Sequence, residues 1–365
     1  MKVTCNAKEF VENISLLKGV VPGHSPMPVL AGILLQGSDS VITLTGSKLE
    51  NAMRVEMAAE IEGEVEPLVL PGRKLIDICG KLPLEPDAVV VLEQQGAVVK
   101  LKYKRSTFTL HTQAPDEFPE FPAMPETDMS IPVDILKEVL SRTVIAVSTN
   151  RVRPMICGVY LKCEDTILTA VATDVKILVM ATASYGFDFA GVIVPANAVK
   201  NILRVFSEGD MWLSVSNNQL ICGQNGKTVS SLLIESEFVN EACDSLVALD
   251  WQDTFECDRV ELLNAVESAC LLSHKEYALL KLSADGDALV IESDLVNVGG
   301  SRQVVSAEFQ GGMEPIGLNG IYLRKVLTDL SCERVKIGHG NPTDPLTLIS
   351  VGNENYKCVI VPMQL

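Results

Sequence analysis

Pro71-Gly72-Arg73-Lys74-Leu75-Ile76-Asp77-Ile78-Cys79-Gly80-Lys81-Leu82 reads as the start and body of an amphipathic helix. Leu75, Ile78 and Leu82 fall at i, i+3 and i+7, and Pro71 is a start signal. The stretch decides the fold because it recurs. Leu75, Val199 and Leu323 are 124 residues apart, as are Ile78, Ile202 and Val326, then Leu82, Phe206 and Leu330, with Leu70, Val194 and Leu318 ahead of them. A second helical series has a period of 126: Phe10, Leu136 and Leu262, followed one turn on by Ile14, Leu140 and Val266. Two independent patterns in constant register make the chain three copies of one unit. A catalytic site needs no such plan; a curved or closed structure does.

Each unit divides into two halves, a helix with strands around it. The expected helices are 8–18 and 72–82, then 133–147 and 198–206, then 259–272 and 322–330. Strand-like runs at 29–36, 41–46, 52–61, 88–92, 98–103 and 107–112 surround the first pair. Runs at 158–162, 166–172, 177–184, 211–216, 219–224 and 228–233 surround the second, and the third unit continues as strands to residue 365. Hairpin punctuation such as Gln94-Gln95-Gly96 and Ser38-Asp39-Ser40 makes the sheets antiparallel, an α+β class. Four prolines between 115 and 125 mark an extended linker. The acidic, turn-rich segment 235–253 marks a second boundary. The expected domains are 1–126, 127–247 and 248–365.

Composition narrows the function. The 365 residues carry a formal charge of −17, which argues against a simple basic glove for nucleic acid or an anionic membrane surface. The 10 cysteines form no C-x-x-C pair, so no zinc site is expected. No signal peptide and no membrane span is legible, and the chain reads as cytoplasmic with reduced thiols. None of the four histidines, His24, His111, His274 and His339, has metal-ligand spacing to another or to a cysteine pair. Gly223-Gln224-Asn225-Gly226-Lys227-Thr228 has Ile221 where a phosphate loop needs glycine, so Asn225-Gly226 is a hairpin turn. Asp174, alone after a strand, reads as a turn residue. No catalytic residue, metal or cofactor is expected.

Basic side chains on the repeated helices stand out against the acidic background. Lys8, Lys18, Arg73, Lys74, Lys81, Lys137, Arg142, Lys200, Arg204, Arg259, Lys275, Arg324 and Lys325 are either a solvated face or a modestly positive lining. Such a lining holds a phosphate backbone loosely, without reading bases.

At this point the chain resembles a known family, the bacterial sliding clamp, the beta subunit of DNA polymerase III. The resemblance runs over the whole length. It is carried by Met27-Pro28-Val29-Leu30, Leu34-Leu35-Gln36, Leu44-Thr45-Gly46, Arg73 to Cys79 ahead of Leu82-Pro83, Arg105-Ser106 and Phe118-Pro119. Val171-Ala172-Thr173-Asp174, Val192-Ile193-Val194-Pro195 and the ending Val361-Pro362-Met363-Gln364-Leu365 complete it.

The resemblance implies three DNA-clamp domains per chain, closed as a head-to-tail homodimer into a six-domain ring around duplex DNA. The ring does no chemistry; it tethers the polymerase so that dissociation becomes recapture. The implied partners are the DNA polymerase III catalytic subunit, the clamp loader and other clamp-motif proteins. Their peptides would enter a cleft walled by Arg153, Met155, Ile156, Thr173, Val175, Lys176 and Leu178, with Val247, Asn319, Tyr322, Val359, Val361 and Met363. The implied DNA-facing set is His24, Arg73, Lys74, Lys137, Asn150, Lys200 and Arg204. At the dimer joint, Phe108 and Leu110 would meet Leu271 and Leu272 of the partner copy, with Arg105 facing the strand 296–303.

This chain departs from the family pattern in places. Val175 stands where the family has glycine and narrows the wall, Ile177 stands for an arginine, and Gln364 replaces the arginine before the last leucine. Pro154 and Met155 stand where tyrosines touch DNA. The strand 296–303 lacks a carboxylate, so fewer cross-subunit ion pairs are expected and the dimer should dissociate more readily. Two other readings compete: a diverged clamp serving a mobile element or specialised polymerase, and, from a different class, a hydrolase on repeated domains.

Overall fold

The computed structural model describes residues 1–124, 126, 129–216 and 218–365. Seven α-helices lie among the described residues: α1 (Ala7–Leu17), α2 (Gly72–Cys79), α3 (Val133–Val144), α4 (Ala196–Val205), α5 (Asn240–Val247), α6 (Arg259–Cys270) and α7 (Gly320–Asp329). All but α5 are the helices that the repeats announce. α1 and α6 begin alike: Asn6 accepts from the Glu9 N–H at 3.0 Å and Asp258 from the Glu261 N–H at 2.7 Å. Each such cap is worth about 1 kcal/mol. Phe10, Ile14, Leu136, Leu140, Leu262 and Val266 are all buried, so the repeated apolar stripe is the core face of each copy.

The other repeated series is partly strand. Leu70, Val194 and Leu318 stand in the strands Leu68–Leu70, Phe189–Pro195 and Ile316–Asn319, each of which leads into a helix. Leu82, Phe206 and Leu330 lie just past the helix ends. α2 stops at Gly80, whose N–H bonds the Ile76 carbonyl, and Leu82 closes a tighter turn onto Cys79. The register is shared because strand end, helix face and following loop all pack on one core.

Two compact units group the chain by contact: Met1–Asp134 with Asn197–Leu233, and Ile135–Ala196 with Ile234–Leu365. Every paired strand is antiparallel. The first unit holds a five-stranded sheet in the order Glu60–Glu62, Lys2–Asn6, Val89–Gln95, Val98–Tyr103, Ser106–His111. Its eight-stranded sheet runs Ser130–Pro132, Asp210–Ser216, Gln219–Gln224, Lys227–Leu232, Asn51–Ala58, Val41–Ser47, Ile33–Ser38, Leu68–Leu70. The second unit holds a twelve-stranded sheet that begins Phe189–Pro195, Gly158–Glu164, Ile167–Thr173, Ile177–Ser184. It continues Asn353–Ile360, Leu346–Ser350, Arg334–His339, Asp253–Asp258, Gly299–Gln310, Ala288–Leu295, Leu279–Asp285, Ile316–Asn319.

The copies are therefore joined edge to edge by the same kind of pair. Asn51–Ala58 of the first copy pairs with Lys227–Leu232, the last strand of the second. Ile177–Ser184 of the second copy pairs with Asn353–Ile360, the last strand of the third. The strands left over are Ser106–His111, the last of the first copy, and Gly299–Gln310 of the third. Among the described residues Ser106–His111 is paired only with Val98–Tyr103. Among the described residues Gly299–Gln310 is paired beyond Ala288–Leu295 only from Ala307 to Gln310; the Ser306 N–H on that side is held by Glu261 at 3.2 Å, which leaves Gly299–Val305 open.

Several expectations are corrected. Residues 29–31 are not strand: Pro28, with its fixed φ, starts a 3-10 turn, Pro28–Ala31. The run 52–61 breaks at Ala59 into Asn51–Ala58 and Glu60–Glu62. Segment 235–253 is not only a boundary loop, because it contains α5. That helix is eight residues long and set among acids, too short for its buried Cys243 and half-buried Leu246 and Val247 to show a period. Residues 361–365 do not extend the last strand. Pro362 lacks a donor, and the tail is held by Val361 N–H to Lys176 O at 2.9 Å and Met363 N–H to Gly317 O at 2.7 Å. Pro125 of the proline linker and Thr127, where the second expected domain begins, lie outside the described residues.

Candidate partner-binding site

The site begins at the turn after the strand Ile167–Thr173. Asp174 Oδ1 accepts from the backbone N–H groups of Lys176 and Ile177, at 2.9 and 3.0 Å. Thr173 Oγ1 donates to Ile177 O at 2.8 Å and accepts from the Val175 N–H at 3.0 Å. Asp174 is thus a turn residue, as its position suggested. It has a second partner: the Tyr322 hydroxyl on α7 donates to its Oδ2 at 2.8 Å. Burial, then the Asp174 carboxylate, pushes the Tyr322 phenol up, so the hydroxyl stays a donor.

Two apolar surfaces flank this turn. On one side Leu178 and Val359 are buried with Val171, Ile193, Phe238 and Cys243, and Met155 and Val247 pack half-exposed against them. Tyr160 stacks on Phe238 at 4.7 Å. On the other side lies a groove of about 220 Å³. Lys176, Asn319, Tyr322, Val361 and Met363 line it, together with Glu276, Tyr277 and Pro362. Asn319 also caps α7, accepting from the Ile321 N–H at 2.9 Å. Among the described residues no cluster of His, Cys, Asp and Glu could hold a metal.

Nine of the thirteen cleft positions therefore fall on these two surfaces, four on the first and five on the second. Thr173 and Val175 belong to the turn; Val175 is at its exposed tip and does not line the groove. Ile156 is buried, and exposed Arg153 leads into the short turn Pro154–Ile156. Sequence reasoning missed Glu276 and Tyr277. The Tyr277 ring stacks on His274 at 4.1 Å, and no local motif marks that pair.

The basic residues divide. Arg73, Lys74 and Lys200 are exposed on α2 and α4, as is His24 in its loop. Arg204 donates to Leu16 O at 2.7 Å and to Asn201 Oδ1 at 2.9 Å, so part of its guanidinium is spent inside the protein. Arg259 caps the end of α7, donating to Leu327 O and Cys332 O at 2.8 Å each. Arg142 is largely buried and paired to Glu138 at 3.0 Å. These last two leave the candidate lining, because carbonyls at a helix end and a carboxylate one turn back already hold them. Lys137 is half-buried on α3, and Asn150 is exposed, its Oδ1 accepting from the Val152 N–H. At the candidate joint Arg105 and Leu271 are exposed, Phe108 and Leu272 half-buried, and Leu110 buried.

Comparison with known proteins decides the family. Models of the DNA polymerase III beta subunit match in order along the chain: its N-terminal domain at residues 1–122, its central domain at 130–240 and its C-terminal domain at 246–364. The chain belongs to the beta sliding clamp family. It is 27% identical over 379 residues to the beta sliding clamp of Synechococcus elongatus, all of both chains being covered. The crystal structure of the DNA polymerase III beta subunit from Pseudomonas aeruginosa superposes with a TM-score of 0.90 at 26% identity, covering 100% of each chain. The same organism's clamp bound to griselimycin gives 0.91 at 25%, also with 100% of each chain covered. Members of the family are non-catalytic processivity factors of DNA replication, so the hydrolase reading falls. Among the described residues no helix is long and apolar enough to cross a membrane.

Proposed function

We propose that this clamp closes as a head-to-tail homodimer around duplex DNA and tethers polymerase, clamp loader and repair proteins by short peptides. The observation that carries the ring is the strand pairing between copies. Each junction inside the chain joins the fourth strand of one copy to the last strand of the next, and one of each kind is left open. The edge Gly299–Val305 would pair with Ser106–His111 of a second copy, repeating the internal junction, and two such contacts close six domains. Leu271, Val296 and Val298, 80, 78 and 67% exposed, supply apolar surface beside that edge. Phe108 and Leu110 lie two residues apart on one face of the complementary strand. The domain divisions are 1–126, 127–247 and 248–365.

The peptide site is the pair of surfaces around Asp174. The floor at Met155, Leu178, Val247 and Val359 takes one apolar anchor, and the groove between Tyr277, Tyr322 and Met363 takes a second. Arg73, Lys74, Lys200 and His24, with Lys137, Asn150 and Arg204, meet phosphates without reading bases. The clamp works in the cytoplasm.

Electron microscopy of the full chain at micromolar concentration tests the ring. A six-lobed closed ring with a hole wide enough for duplex DNA is expected, whereas compact globules would overturn it. Titration with peptides from the host replicative polymerase separates a chromosomal clamp from one serving a mobile element. The first binds them saturably, with loss on Tyr322→Ala.

A further inference from the structure

The groove beside Asp174 carries one charge without a counterpart in the fold, and it belongs to a residue that no motif announced. Glu276 stands in the loop between α6 and the strand Leu279–Asp285, and lines the groove with Tyr277. The loop is built around His274. The Glu276 N–H donates to His274 Nδ1 at 3.3 Å, the Ala278 N–H donates to His274 O at 2.8 Å, and Tyr277 stacks on the His274 ring. Ala278 O in turn accepts from the Gly320 N–H at 2.8 Å, which ties the loop to the start of α7. Among the described hydrogen bonds only the backbone of Glu276 takes part, so its exposed carboxylate is positioned at the groove and left for another group.

The charges around the groove do not cancel at that point. Lys176 comes from a different wall, the turn at Asp174. The Asp174 carboxylate accepts from the Lys176 backbone N–H, so those two opposite charges share one turn. Lys325 stands over the Tyr322 ring at 5.8 Å and Lys275 precedes Glu276 in the chain, but neither lines the groove. Among the described ion pairs none involves Glu276 or Lys176. The remaining lining, Tyr277, Asn319, Tyr322, Val361, Pro362 and Met363, is uncharged. Two phenol rings, a thioether and an unpaired carboxylate suit a long cationic side chain. Such a side chain lays its methylenes on apolar surface, gains from a nearby aromatic face and presents its charge to the acid.

We propose that Glu276 selects among partner peptides, favouring those with an arginine or lysine next to the anchor seated between Tyr277 and Tyr322. The cation meets the Glu276 carboxylate, and an acidic residue in the same place meets a like charge. This inference rests on the reading of the groove as a peptide site and adds the charge that its peptides carry.

The test is a charge scan on the full-length protein. A peptide from the host replicative polymerase is made with arginine, and separately with glutamate, at each position outside its two apolar anchors. Binding is read by fluorescence anisotropy. One position next to an anchor should bind about fivefold more tightly as arginine than as glutamate, the scale of an exposed charge pair. Glu276→Gln should flatten that preference and Glu276→Lys should reverse it; the side chain carries none of the loop's bonds, so neither variant disturbs the loop. The preference should also shrink as salt rises from about 0.05 to about 0.5 M, because the pair is exposed. An arginine-to-glutamate ratio unchanged by Glu276→Lys, with binding still lost on Tyr322→Ala, would overturn the inference and leave the peptide site standing. Absence of saturable binding to the parent, or binding indifferent to Tyr322→Ala, would remove the site and the inference together.

Discussion

Val175 has φ +79° at the tip of the turn beside the peptide site. A β-branched residue in the left-handed region is strained, and the turn is held there by the Thr173 and Asp174 side chains on either side. The resemblance places glycine at this position, which is what such a φ favours. Val175→Gly should therefore raise stability by about 1 kcal/mol, the relief of strain exceeding the entropic cost of glycine; urea denaturation reads this directly. A fall in stability would mean that the valine side chain contributes packing its 56% exposure does not suggest. Asp174 was legible as a turn residue from its place after a strand. Its bond to Tyr322, 148 residues away, was not, since nothing local ties the two.

Among elements, the repeated helices were the most legible, because burial imposes a 3.6-residue period that recurs in three copies. α5 was hidden by its length, and with it went the helix that brings Val247 to the apolar floor. Asn225-Gly226 was read correctly as a hairpin: φ is +48° at Asn225 and +71° at Gly226, both positive as a type I′ turn requires. The open edges could be located only from pairing. They support an element-level expectation: Phe108→Glu and Leu271→Glu should each shift the protein from dimer to monomer at micromolar concentration, read by light scattering. The open apolar surface would then carry an unpaired charge. Monomer melting temperature should stay close to the parent value, since Leu271 is 80% exposed within one chain.

At the scale of the whole molecule, the ten free cysteines report on the core. Seven are buried, and only Cys157, Cys270 and Cys332 are partly exposed. Iodoacetamide at neutral pH should therefore label no more than three per chain while the protein is folded. Burial pushes Cys5, Cys79 and Cys257 from 9.0 to about 12. The folded-state pKa is the higher one, so the stability these thiols allow is fully present below pH 9 and falls as pH rises toward 12. The unfolded chain releases its protons first, at a cost of about 1.4 kcal/mol per pH unit for each thiol. Denaturant midpoints under reducing conditions should be level from pH 7 to 8.5 and drop steeply near pH 10; a flat profile would mean that water reaches these sulfurs.

The threefold repeat, the helix faces, the antiparallel class and the family were all written in one dimension, because periodic burial and ordered motifs survive projection onto a chain. Which strand edges join copy to copy, which arginines are spent on carbonyls, and which side chains meet around Asp174 were not. Those depend on pairings between residues up to 188 positions apart, as between Leu16 and Arg204. Such contacts leave no local pattern, since hydrogen-bond geometry constrains where two groups meet in space and not how far apart they lie along the chain.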